Sequence, residues 1–173
     1  MKKIYLIDGS SMLTTQYHAT MPREYKFAKT EEDKIKGLEN IMKTSQGVYT
    51  NGVLGMTKAL IKLIKSEQPE YLAVCWDISR DTFRKKMFSD YKSTRKPTHN
   101  TLGEQFETMQ ETLEAMGIPT LKMENYEADD LIGTLAKNYR EEAEVIIITK
   151  DQDALQLIDK NTTVWLGIVE KKL

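Results

Sequence analysis

One cysteine, two histidines and four prolines are all that 173 residues offer of these types. Cys75 stands alone inside the apolar run Tyr71–Trp76, which excludes a disulfide framework and points to a reducing, cytoplasmic setting. His18, His99 and Cys75 lack zinc-ligand spacing, and no Ser-His-Asp or Cys-His arrangement for nucleophilic catalysis is present. Val145–Ile148 and Tyr71–Trp76 are the longest apolar runs, far short of the roughly 20 residues of a membrane span. The apolar stretch Ile4–Ile7 after Met-Lys-Lys is too short for a secretory signal. No repeat or low-complexity segment interrupts the chain. These absences leave a cytoplasmic domain away from membranes, expected to be monomeric.

What the chain does have is charge, and it is segregated. Charged residues make up 29% and apolar ones 40%, with a formal net charge of -1. That sum argues at first sight against a nucleic-acid partner. Yet Arg80, Arg84, Lys85, Lys86, Lys92, Arg95 and Lys96 fall in one stretch against only Asp81 and Asp90. Phe83, Phe88 and Tyr91 lie among these cations, a mixture suited to a phosphate backbone with bases stacked nearby. From Glu104 to Asp130, eight acids face the single base Lys122. The local field of such blocks, rather than net charge, steers a ligand. The glutamates of 104–114 read as a solvated helix face.

Three unbroken apolar runs each lead into an aspartate: Ile4–Ile7 before Asp8, Tyr71–Trp76 before Asp77, and Val145–Ile148 shortly before Asp151. Runs without alternation fit strands covered on both faces, hence a parallel sheet. Thr120–Met123 and Thr163–Leu166 are weaker strand candidates. Leu102, Phe106, Met109, Leu113 and Met116 form a helical stripe, with Thr101 and Glu104 as a capping box and Gly117 as the stop. Two further helices carry Val53, Met56, Leu60, Ile61 and Ile64, and then Leu131, Ile132, Leu135, Ala136 and Tyr139. The expected fold is α/β: a three-layer, Rossmann-like, mainly parallel sheet flanked by helices, forming one domain over 1–173. Residues of about 20 to 50 read as an insertion or arm, with Ile35, Leu38, Ile41 and Met42 on one amphipathic helix behind Thr30 and Asp33. Residues of about 80 to 100 read as a basic arch.

In such sheets ligands bind beyond the carboxyl ends of the strands. Asp8, Asp77, Asp151 and Asp153 fall there, joined by Glu127, Asp129 and Asp130 at the start of the helix after Thr120–Met123. On spacing, Glu127 and Asp130 share one helical face while Asp129 projects beside it. Any one of these acids could simply cap a helix, a reading with about even odds for Asp8 or Asp151 alone. Seven together are different, because two carboxylates about 4 Å apart repel by roughly 4 kcal/mol at an effective dielectric near 20. Oxygen-only donors suit hard cations, Mg²⁺ or Mn²⁺, and two of them can drive phosphodiester cleavage. A phosphatase using Asp8 as nucleophile would want a second aspartate two residues on, where Ser10 stands.

Ile4-Tyr5-Leu6-Ile7-Asp8-Gly9-Ser10, Thr50-Asn51-Gly52-Val53-Leu54-Gly55 and Leu72-Ala73-Val74-Cys75-Trp76-Asp77 open a longer series of motifs. Thr82-Phe83-Arg84, Asp90-Tyr91-Lys92, Arg95-Lys96-Pro97, Gly117-Ile118-Pro119, Tyr126-Glu127-Ala128-Asp129-Asp130 and Thr149-Lys150-Asp151-Gln152-Asp153 complete it. In order and spacing they resemble the bacterial 5′→3′ exonuclease domain of DNA polymerase I and its stand-alone relatives, within the PIN-like flap-endonuclease superfamily. The resemblance implies metal binding by Asp8, Asp77, Glu127, Asp129, Asp130, Asp151 and Asp153. It also implies Arg84, Lys92 and Arg95 at the scissile phosphate, Tyr91 against terminal bases, and backbone contacts for Lys85, Lys86 and Lys96. The implied activity is a metal-dependent 5′→3′ exonuclease or flap endonuclease in replication and repair, with two Mg²⁺ or Mn²⁺ ions. Its partners would be DNA with a 5′ single-stranded end or flap, or an RNA-DNA primer. Leu173 precedes the family's helix-hairpin-helix part, and its Gly-Asp-x-Ser-Asp-Asn motif is absent. A fragment or a shortened member is therefore expected, with catalytically weak nucleic-acid binding as the alternative outcome.

Overall fold

A computed structural model describes residues 2–78 and 100–167. Five parallel strands run in the order β3-β2-β1-β4-β5: β1 Lys2–Asp8, β2 Tyr71–Cys75, β3 Thr120–Leu121, β4 Ala143–Thr149 and β5 Thr162–Leu166. The expected α/β, Rossmann-like parallel sheet is thus the observed one. Helices α1 Gly9–Ala19, α2 Arg23–Lys26, α3 Glu31–Glu39, α4 Asn51–Glu67, α5 Asn100–Ala115 and α6 Ala128–Tyr139 connect the strands, with a 3-10 helix at Gln152–Leu157.

The apolar runs are unbroken because successive residues enter different cores. Tyr5, Ile7, Val74, Trp76, Ile146 and Ile148 pack with Leu13, Met56, Leu60, Met109 and Leu113 of α1, α4 and α5. Leu6, Cys75, Val145 and Ile147 turn to the other face, against Ile132 and Ala136 of α6. Burying a Leu, Ile or Met side chain in either layer contributes about 1.5–3 kcal/mol.

Helix limits differ from the sequence expectation at several points. Thr101 lies inside α5 instead of capping it, and its hydroxyl is 2.6 Å from that of Tyr17. Gly117 does stop α5: its φ of +71° suits a residue without Cβ, and the Ile118 amide donates to Leu113 O at 2.9 Å. Met116, Tyr139 and Ile61, expected in the core, are exposed: Met116 follows the last residue of α5, Tyr139 is the last residue of α6, and Ile61 lies beside the buried Leu60 on the edge of its stripe. The glutamates of 104–114 are exposed, as read. Thr30 caps α3 by accepting the Asp33 amide at 3.1 Å, but α3 ends at Glu39, before Ile41 and Met42. Ile41 is buried from the following loop, while Ile35 and Met42 are exposed.

Candidate metal centre and cleft

In the order β3-β2-β1-β4-β5, chain direction reverses its progress across the sheet between β1 and β4, where a crevice opens at the carboxyl edge. Asp8 ends β1, Thr149 ends β4, and Asp77 follows β2 on the other flank. Gly9 lets α1 start at once: a Cβ there would lie 2.6 Å from the buried Trp76 ring. Asp8 caps α1, its Oδ1 accepting the Ser11 amide at 2.9 Å.

Asp8, Asp77, Asp129 and Asp151 line one cleft of about 390 Å³. Each of three has an oxygen fixed by the backbone of another element or turn. Ala128 N donates to Asp77 Oδ1 at 2.8 Å, and Asp153 N to Asp151 Oδ1 at 3.0 Å, besides the Ser11 bond to Asp8. The second oxygens of Asp77 and Asp151 accept no hydrogen bond among the described residues. Asp8 is only 7% exposed, and burial raises its pKa above the ordinary carboxylate value. Hydrogen bonds from Ser11 and Thr149 oppose that shift, while the charges of Asp77 and Asp151 add to it.

The remaining predicted acids are placed differently. Glu127 is not helical but caps α6, and Asp130 Oδ2 accepts its amide at 2.9 Å, the carboxylate side of a capping box. Asp153 is exposed on the 3-10 helix, with its amide turned to Asp151. Arg84, Lys85, Lys86, Tyr91, Lys92, Arg95 and Lys96 lie outside the described residues. Among the described residues no three His, Cys, Asp or Glu side chains are close enough to form a ready-made chelate. The cleft instead suits a hydrated hard cation, which takes one or two carboxylates and shares the rest with water or a phosphate.

Thr149, part of the motif Thr149-Lys150-Asp151-Gln152-Asp153, has a role that its sequence position does not reveal. Its hydroxyl donates to Asp8 Oδ2 at 2.9 Å and accepts the Asp151 amide at 3.0 Å, tying two cleft aspartates together. The separation of 141 residues between Thr149 and Asp8 left no local signal. Cys75, the last residue of β2, is inert: burial first and the Asp8 charge second push its thiol up to about 12. No helix among the described residues is long and apolar enough to cross a membrane.

A family model for 5′-3′ exonuclease N-terminal, resolvase-like domains matches residues 3–173. DNA polymerase I of Bacillus caldotenax is 37% identical over 164 residues, covering 94% of this chain and 16% of the polymerase. The 5′-3′ exonuclease of Bacillus subtilis (strain 168) is 35% identical over 164 residues, 95% of this chain and 50% of that protein. The chain therefore spans about half the length of its stand-alone exonuclease relatives. Zinc-bound T5 5′-exonuclease superposes with a TM-score of 0.63 at 16% identity, over 95% of this chain and 55% of that one. Bacteriophage T5 D15 flap endonuclease, in a complex with DNA and metal ions, gives 0.62 at 16% identity, over 95% and 54%.

Proposed function

This chain belongs to the 5′-3′ exonuclease family, as its N-terminal, resolvase-like domain, and on that premise we propose that it is a metal-dependent 5′ nuclease. Its substrates are phosphodiesters at 5′ ends or flaps of DNA, or of RNA primers, in replication and repair. The observation that carries this reading is the convergence of Asp8, Asp77, Asp129 and Asp151 on one cleft at the carboxyl edge of the sheet. Relatives named as 5′-3′ exonucleases, and a T5 structure of the same fold holding DNA and metal ions, support it.

The donor set fits Mg²⁺ or Mn²⁺: it is oxygen only, with Asp8 raised in pKa by burial and, to a lesser degree, by the charges of Asp77 and Asp151, and with open second oxygens on Asp77 and Asp151. Asp8, Asp77, Asp129 and Asp151 would hold the cations, with Glu127, Asp130 and Asp153 beside them. When bound there, two such cations would supply water activation and stabilisation of the leaving oxygen. The protein's own part is to hold its carboxylates still. Ser11 N and Thr149 Oγ1 fix Asp8, Ala128 N fixes Asp77, and Asp153 N fixes Asp151, so little reorganisation is needed when charge develops. Arg84 and Lys92, with Arg95 assisting, stabilise the scissile phosphate; Tyr91 stacks on terminal bases and Lys85, Lys86 and Lys96 hold the backbone. These roles rest on the family resemblance. The protein acts as a cytoplasmic monomer.

The test is Mg²⁺- or Mn²⁺-dependent cleavage of a 5′-flap DNA, set against a small phosphomonoester. Asp77→Ala and Asp151→Ala should each lower flap cleavage on the order of 100-fold or more. Unchanged cleavage in both variants would sink the metal mechanism. Because the chain spans half of its exonuclease relatives, a second reading is DNA binding without turnover. Flap binding with no cleavage at any metal concentration would favour that one.

A further inference from the structure

The aspartates account for only part of the cleft lining. Ser10, Ser11, Thr14 and Thr15 of α1, Ala128 of α6 and Lys150 after β4 complete it. At about 100° per residue, the four hydroxyl positions share a helical face about 140° wide. Lys150 is tied to that wall, since its amide donates to Ser11 Oγ at 3.0 Å. Among the described residues Lys150 makes no ion pair with the aspartates beside it, and the hydroxyls of Ser10, Thr14 and Thr15 make no hydrogen bond. An ammonium that shares a cleft with four carboxylates and pairs with none is left to a ligand carrying its own negative charge. Unused hydroxyl donors on the same lining ask for acceptor oxygens. A phosphodiester supplies both, and lysine binds phosphate as a point charge.

We propose that Lys150 and the hydroxyl face of α1 form a second phosphate subsite, which holds a backbone phosphate next to the one that is cleaved. The inference rests on the nuclease reading and adds a substrate-positioning element to it. Cations on the aspartates would remove the repulsion that otherwise keeps a phosphate out of the cleft, so the two linings work together.

The experiment is fluorescence anisotropy of a labelled, 5′-phosphorylated oligothymidylate in Ca²⁺, titrated across a range of salt. Lys150→Ala should weaken binding about tenfold. It should also flatten the slope of log affinity against log salt by about 0.7, the value for one contact on a single strand. Lys150→Arg, which keeps the charge, should restore both. Thr14→Val and Thr15→Val should weaken binding about two- to threefold with no change of slope. Lys58→Ala, on the exposed side of α4, should match the parent. If Lys150→Ala keeps the parent's affinity and slope, the subsite is overturned while the nuclease reading stands. If the parent binds no oligonucleotide, both fall together.

Discussion

Gln105 and Asn51 are as thoroughly buried as Asp8, but their surroundings differ in kind. Gln105 uses all it has: Oε1 accepts Gly52 N at 2.7 Å and Val53 N at 3.2 Å, while Nε2 donates to Asn51 Oδ1 at 2.9 Å and Thr101 O at 2.7 Å. Asn51 Nδ2 continues to Tyr17 O and Thr20 Oγ1, both at 3.1 Å. The first amides of α4, whose own Thr50 side chain makes no cap, are satisfied from another helix. At Asp8, by contrast, a carboxylate is desolvated beside two others and held above its ordinary pKa. One cluster is neutral and saturated, so burial locks α1, α4 and α5 together. The other is charged and under-compensated, so the same burial costs stability and leaves the site ready for cations. That contrast separates polar burial for architecture from polar burial for chemistry.

Breaking the saturated cluster should have the largest effect. Gln105→Ala strands the Gly52 and Val53 amides and an Asn51 oxygen, and is expected to cost about 3 kcal/mol in urea unfolding. A loss below about 0.5 kcal/mol would show that the network is no structural lock. The under-compensated cluster should respond with the opposite sign. Asp8→Asn keeps the oxygen that caps α1 and removes the repelling charge, so it is expected to stabilise the metal-free chain by about 1 kcal/mol at neutral pH. Because the folded pKa of Asp8 lies above 3.8, its favourable contribution is complete below 3.8 and is lost as pH rises through the folded value. The gain from Asp8→Asn should therefore shrink on acidification, and a pH-independent gain would contradict the assignment.

The sequence shows the layered sheet plainly, since both faces of β1, β2 and β4 are covered and apolar runs mark them. The site is legible only in part. Asp8 and Asp151 each read as a cap or as a site residue in the sequence, and the structure makes them caps that also line the cleft. Spacing alone could not separate a shared helical face from a capping box at Glu127 and Asp130, because both need acids three residues apart. Gln105 is set among solvated glutamates, and Thr149 stands in a matched motif but has its partner 141 residues away, so neither role can be read from the sequence. Their roles exist only once the fold has brought distant segments together.

The smallest expected effect falls on Thr149, which bridges Asp8 and Asp151 and so adds a little saturation to the charged cluster. Thr149→Val removes a donor to the Asp8 carboxylate and the acceptor of the Asp151 amide. The Thr149 bond lowers the pKa of Asp8, so its loss lets burial raise that pKa further. At neutral pH the variant should lose about 0.5 kcal/mol. Below the ordinary carboxylate value Asp8 is protonated in folded and unfolded chains alike, and the part of the loss that comes from its charge should disappear. Urea unfolding of parent and variant at neutral pH and below pH 3.8 measures the difference. An equal loss at both would place Thr149 with Gln105, as architecture, and would mean that the boundary between the two clusters runs on the cleft side of β4.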